Sequence, residues 1–129
     1  MNRAVVVDAS ALVELLCQTG KAPTIAARLK RASSLHAPHL IDVEVTSALR
    51  RQCSLKALSS SRESDALADL GDFPLTRHVH LSLLGRVWEL RNRFSAYDAF
   101  YLALTEALDA SLVTCDGKLA EAGRHVDVV

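Results

Sequence analysis

Paired cysteines, long apolar runs and a surplus of either charge are all missing from this chain of 129 residues. Its three cysteines, Cys17, Cys53 and Cys115, are odd in number and widely spaced. That excludes a disulfide framework and a zinc knuckle, and predicts small core residues in a reducing compartment. No stretch reaches the ~20 apolar residues of a membrane span, and the best run, Leu12 to Cys17, is broken by Glu14. The N-terminal segment has neither the apolar core nor the cleavage site of a signal peptide, so the expected place is the cytoplasm, with no membrane partner. Fifteen basic residues cancel fifteen acidic ones, so net charge points to no nucleic-acid or membrane surface. A glycine-rich phosphate loop is lacking too: "QTGKA" has the lysine without G-x-x-x-x-G-K-[ST], which excludes a P-loop nucleotide binder.

What remains is a chain that is half hydrophobic, enough for a sizeable core, and its length suits a single domain over residues 1–129. Ala4–Val7 is a continuously apolar, β-branched run, the pattern of a strand buried on both faces. Helical spacing follows from Ala9 to Cys17. "PTIAARLKRAS" reads as a second helix with Pro23 at its start and basic residues along one side. Leu35–Pro38 reads as a strand and "HLIDVEVTSALRRQC" as a helix. After a polar turn in "SLKALSSSRESD", a helix is expected over Arg62–Leu70, a strand in "PLTRHV" and a helix from Leu81 to Arg93. Ser95–Asp109 is apolar nearly all round and should be a buried helix. "SLVTCDG" and "HVDVV" complete the strands. Alternation of this kind predicts a three-layer α/β/α sandwich around a mostly parallel sheet.

Four carboxylates stand out against this background. Asp8 and Asp116 each end a strand, where an acid commonly caps the following helix. Asp98, three residues after Ser95, scans as part of a capping box. Glu44 lies on or beside an apolar helix face, between Ile41 and Ala48, and Asp98 sits in an apolar helix. Burying an unpaired charge is costly, yet neither has a lysine or arginine one turn away. In a parallel α/β sheet strands end and helices begin along one edge, so all four acids can converge there, where such folds place their sites. Crowded carboxylates stay ionised only around cations. Oxygen ligands without histidine or cysteine favour Mg²⁺ or Mn²⁺. Ser10 and Thr114, each two residues from an acid, can orient carboxylates or water, or cap backbone locally.

The ordered segments "VVVDASAL", "APHLIDVEVTSALRR", "YDAFYLALTEAL" and "LVTCDGKLA" resemble the PIN-domain nucleases, and in particular the VapC-type toxins of toxin–antitoxin pairs. The resemblance runs from Ala4 to Val129. It implies that Asp8, Glu44, Asp98 and Asp116 are the catalytic metal ligands, with Ser10 and Thr114 supporting them. It further implies Mg²⁺- or Mn²⁺-dependent RNA cleavage with one or two ions, a cognate antitoxin as inhibitor, and a homodimer. Where some relatives carry a further Asn or Asp in the last helix, Leu119 and Ala120 stand here, so a second ion would be loosely held.

Metal-assisted hydrolysis predicts products with 5′-phosphate and 3′-hydroxyl ends. The five histidines, His36, His39, His78, His80 and His125, form no pair beside the acids for 2′-hydroxyl chemistry. RNA must approach an acidic pocket, so flanking cations are expected: Arg50 and Arg51 beyond Glu44, Arg91 and Arg93 before Asp98, and Lys118 after Asp116. Each could equally be a solvated helix terminus. The competing readings are a haloacid-type phosphatase, which wants a second Asp where Ser10 sits, and a non-catalytic PIN-like binding module. A phosphoacceptor receiver wants acids ahead of Asp8, where the chain is apolar.

Overall fold

The computed structural model describes residues 3–55 and 58–129, apart from the side chain of Cys53, so the expected core role of that cysteine lies outside the described set. The element order is β1 (Ala4–Val7), α1 (Ala9–Leu16), α2 (Ala22–Lys30), β2 (Ser34–Pro38), α3 (Leu40–Ser54), α4 (Ser60–Asp72), β3 (Thr76–His78), α5 (Leu84–Glu89), α6 (Ala96–Ala107), β4 (Ser111–Thr114) and β5 (Val126–Val128). Short 3₁₀ segments occupy Leu81–Leu83 and Gly117–Ala122.

The five strands run in the order β3-β2-β1-β4-β5, and every neighbouring pair is parallel. The expectation of a mostly parallel sheet is met in full. Right-handed crossovers fix the layers: the two steps β1→β2→β3 put α1 to α4 on one face. The return across the sheet to β4 puts α5 and α6 on the other. Packing agrees, with α1 against α2, α3 and α4, and α6 against α5 and the central strands. Central position explains the sequence of β1, where Val6 and Val7 have no exposed surface, because both faces of a parallel sheet are covered.

The helices follow their apolar stripes. Ile41, Val45 and Leu49, four residues apart, are buried from α3. Tyr101 to Thr105 are all buried in α6, as the apolar run predicts. Most boundaries shift by a residue or two, and two differences have a clear physical reason. Helix α4 starts at Ser60 rather than Arg62, because the Ser59 hydroxyl accepts the Arg62 N–H at 3.2 Å and caps it. The single helix expected over Leu81–Arg93 is a 3₁₀ turn, a six-residue helix and further turns. Val87, Leu90 and Phe94 keep helical spacing and are buried, but the Leu90 N–H is shared between the Arg86 and Val87 carbonyls, so the chain tightens and leaves the helix there. Among the described residues no helix is long and apolar enough to cross a membrane.

Candidate active site

Register builds the site. Val7 of β1 is aligned with Val113 of β4, so the next residues, Asp8 and Thr114, emerge side by side at the carboxyl edge, and the Asp8 N–H bonds the Val113 carbonyl at 2.9 Å. Asp8 stands at the N-cap of α1, yet its side chain makes no cap hydrogen bond. Its Oδ2 instead accepts both the Ser10 hydroxyl at 2.6 Å and the Thr114 hydroxyl at 2.7 Å. The capping alternative is thereby answered for Asp8.

The two hydroxyls also accept: Ser10 Oγ takes the Cys115 N–H at 2.9 Å and Thr114 Oγ1 takes the Asp116 N–H at 3.0 Å. Each hydroxyl has one proton, and both protons go to Asp8. The 3.2 Å approach between the two hydroxyl oxygens therefore carries no proton of its own. Orientation and backbone capping, posed as alternatives for Ser10 and Thr114, are both true. Asp116 caps as well, since its Oδ1 accepts the Lys118 N–H at 3.0 Å. At the start of α6, Ser95 caps through the Asp98 N–H at 3.2 Å.

Asp8, Glu44, Asp98 and Asp116 line one open basin of about 470 Å³, together with Ser10, Val13, Glu14, Lys21, Arg51, Gln52 and Cys115. Their charges reach one another. Burial, and then the nearby Asp116 charge, push the Asp8 carboxyl above the ordinary carboxylate range, against the Ser10, Thr114 and Ala9 hydrogen bonds that pull it down. Glu44 is raised by burial and by the Asp8 and Asp98 charges, with the Tyr101 hydroxyl working in the other direction. Asp98 is raised by burial, Asp8 and Asp116, and eased by Ser95 and the Lys118 charge. Tyr101 itself is fully buried and its phenol is pushed far up by desolvation beside Glu44. By strict geometry neither Glu44 Oε1 nor the Tyr101 hydroxyl finishes with a hydrogen-bond partner. A carboxylate oxygen that has shed its water beside a phenol and other acids, with no ion-pair partner among the described residues, is suited to a cation.

The donor chemistry fits a hard divalent ion. Among the described residues no three His, Cys, Asp or Glu side chains are grouped closely enough to hold a metal ion by themselves. The four carboxylates are oxygen donors of the kind a hard divalent ion takes, with water completing its shell.

Of the expected cations, Arg51 alone lines the basin. Arg50 faces a separate groove between α3 and α4, with Leu49, Glu63 and Leu67. Arg91 lies over the Trp88 ring and donates to the Trp88 carbonyl at 2.7 Å. Arg93 lies over Phe94 and donates to the Glu121 carbonyl at 3.2 Å. Both are held by the turn after α5. Lys118 acts at a distance through its charge on Asp98. Lys21, Glu14 and Tyr101 were not anticipated. Glu14 lies one helical turn after Ser10, a spacing that could have placed it, whereas Lys21 and Tyr101 are brought in by tertiary packing.

Residues 5–125 match the family model of the PIN domain. The chain belongs to the PIN domain family. This PIN domain is 41% identical over 120 residues to ribonuclease VapC9 of Mycobacterium tuberculosis, covering 93% of the chain and 91% of that protein. It is 42% identical over 119 residues to ribonuclease VapC3 of the same organism, covering 92% and 86%. Its fold matches the crystal structure of M. tuberculosis VapC20, a sarcin-ricin loop cleaving toxin, with a TM-score of 0.72 at 18% identity over 92% of this chain and 95% of that one. Within the PIN family the chain stands among the VapC ribonucleases.

Proposed function

We propose that this VapC-family chain is a metal-dependent endoribonuclease, the toxin of a toxin–antitoxin pair, and that its carboxyl-edge basin is where RNA is cut. The observation that carries the reading is the group Asp8, Glu44, Asp98 and Asp116, mutually repelling around one basin with Glu44 Oε1 left unpartnered. In this reading those four acids hold one or two Mg²⁺ or Mn²⁺ ions. A bound divalent ion supplies Lewis acidity at phosphorus and a water acidified enough to attack it.

The chain's own residues set the stage. Ser10 and Thr114 hold Asp8 Oδ2 in one orientation. The main-chain bonds to those hydroxyls fix the start of the segment that carries Asp116. The Tyr101 phenol lies beside Glu44, and Arg51 and Lys21 offer the only positive charges lining the basin among the described residues, positioned to meet phosphate. The same proposal takes residues 1–129 as a single nuclease domain, a cognate antitoxin as the inhibitor, the cytoplasm as its place, and a homodimer. Val79, Leu81, Leu84 and Trp88 are large apolar side chains left exposed, the kind of surface a second copy covers; mass in solution reads this directly.

Cellular RNA incubated with the protein and Mg²⁺ or Mn²⁺ should acquire new 5′-phosphate and 3′-hydroxyl ends, and EDTA should abolish them. Cyclic 2′,3′-phosphate ends, or cleavage that survives EDTA, would overturn the mechanism. Binding without cleavage in either metal would leave the non-catalytic module, and a phosphoaspartate on Asp8 the haloacid-type phosphatase.

A further inference from the structure

The basic side of α2, visible in the sequence as "ARLKR", is unused by the basin chemistry, and the structure gives it a direction. Helix α2 crosses one face of the sheet from the carboxyl edge to the amino edge. At its start, Lys21 lines the basin and its ammonium donates to the Val129 carbonyl at 3.3 Å. In its last turn Arg28 pairs with Asp127 of β5. Arg31, just past its end, shares a concavity of about 210 Å³ with Arg3, Arg28, Ser111 and Asp127.

Helical phase aligns these cations. Lys21, Arg28 and Arg31 fall within about 80° of arc over a rise of about 15 Å. Lys30 points about half a turn away. Among the described residues no acid lies in ion-pair range of Lys21, Arg31 or Arg3, and Asp127 is engaged by Arg28. Lys21, Arg31 and Arg3 are exposed. A row of uncompensated cations that starts inside an acidic catalytic basin and leads away from it matches the backbone of a polyanion whose one phosphate is in the basin.

We propose that the α2–β5 seam is the track for the RNA strand flanking the cleaved bond, with Lys21, Arg31 and Arg3 contacting successive stretches of phosphodiester backbone. This rests on the ribonuclease reading and adds the path of the substrate to it. Backbone contacts carry no base specificity, so the track sets affinity and register while the basin sets chemistry.

The test is binding of a single-stranded RNA of about 20 nucleotides, followed by anisotropy in EDTA across a salt series, using the full chain. Each phosphate contact on a single strand contributes about 0.7 to the slope of log affinity against log salt. Arg31→Ala should lower that slope by about 0.7 and weaken binding about fivefold near 0.1 M salt, by the same coefficient. Arg3→Ala/Arg31→Ala should lower it by about 1.4. Lys30→Ala removes the same charge from a position about 100° round the helix from Arg31 and half a turn from Lys21, off the row, and should change neither quantity.

Equal effects of Arg31→Ala and Lys30→Ala, or no effect of either, overturn the track. So does a loss confined to polyglutamate binding, which would make the seam a docking face for acidic peptide. The two readings fail separately. RNA binding with a track-dependent slope but no cleavage in Mg²⁺ or Mn²⁺ sinks the nuclease reading alone, and cleavage with an unaltered slope in Arg31→Ala sinks the track alone.

Discussion

Acidic side chains live in two different states in this molecule. Outside the basin several have arginine partners: Asp42 with Arg77 at 2.7 Å, Asp69 with Arg62 at 2.8 Å, Glu106 with Arg86 at 2.8 Å, and Asp127 with Arg28. At the carboxyl edge, Asp8, Glu44 and Asp98 have each other. Arg86 holds the Glu106 carboxyl below the ordinary range, while burial and mutual repulsion hold the basin acids above it. The chain thus has arginines suited to neutralising acids and places none of those ion pairs at the basin. Selection for stability alone would not leave one buried and two half-buried carboxylates in that condition. The contrast separates acids that serve the fold from acids that serve a cation.

The strongest way to break this contrast is Asp8→Asn, which keeps the shape and an acceptor for both hydroxyls but removes the charge. RNA cleavage should fall by about a thousandfold or more, equivalent to about 4 kcal/mol in the barrier. Metal-free thermal stability should not fall with it. Retained cleavage would return Asp8 to the class of structural acids.

A second, smaller effect lies in pH and metal. For Asp8, Glu44 and Asp98 the folded chain binds protons more tightly than the unfolded one, because their folded values are raised. Stability therefore falls as pH rises from the ordinary carboxylate range, about 4, through the raised values. The metal-free protein should melt higher near pH 5 than near pH 7, by differential scanning fluorimetry, and Asp8→Asn should flatten that trend. Glu106 has the opposite sign: its contribution is present above its unfolded value and is lost as pH drops through its depressed one. Mg²⁺ or Mn²⁺ at a hundredfold excess over Kd should restore about 2.7 kcal/mol at neutral pH. A melting curve indifferent to both pH and divalent ions would erase the distinction between the two classes.

The smallest effect sharpens the other side of the comparison. Arg86→Ala removes the partner of Glu106 at a surface where both side chains are about 40% exposed. Solvent screening limits the loss to roughly 0.2–1 kcal/mol, and RNA cleavage should be unchanged. A large loss of activity would place α5 in the site.

The reach of the sequence follows the same division. Convergence of the four acids was legible because strand ends and helix starts share an edge in any parallel α/β sheet, and Asp8 needed only β1 and α1 to be placed on it. The partners of those acids were less legible. Tyr101 reads as one more apolar residue in a greasy helix, and nothing in its neighbours reveals that its hydroxyl lies beside Glu44. Lys21 sits in a turn whose direction is set by the docking of α2 on β5. Arg91 and Arg93 are near Asp98 in sequence, but the early end of α5 at Glu89 folds them back onto Trp88, Phe94 and the Glu121 carbonyl. Adjacency along the chain was a weaker guide than the edge rule, because it depends on where a helix stops.

The Thr114–Asp8 hydrogen bond joins residues 106 positions apart. Nothing local can substitute for it, since Thr114 reaches Asp8 only once β4 has been added beside β1. A growing polypeptide that has made Asp8, Glu44 and even Asp98 still lacks the strand that orients the first acid and delivers the last. An RNA-cutting protein is made on a machine built of RNA. On the ribonuclease reading proposed above, the cutting centre is completed only by a pairing across 106 positions, so the fold itself withholds the hazard until β4 has been made.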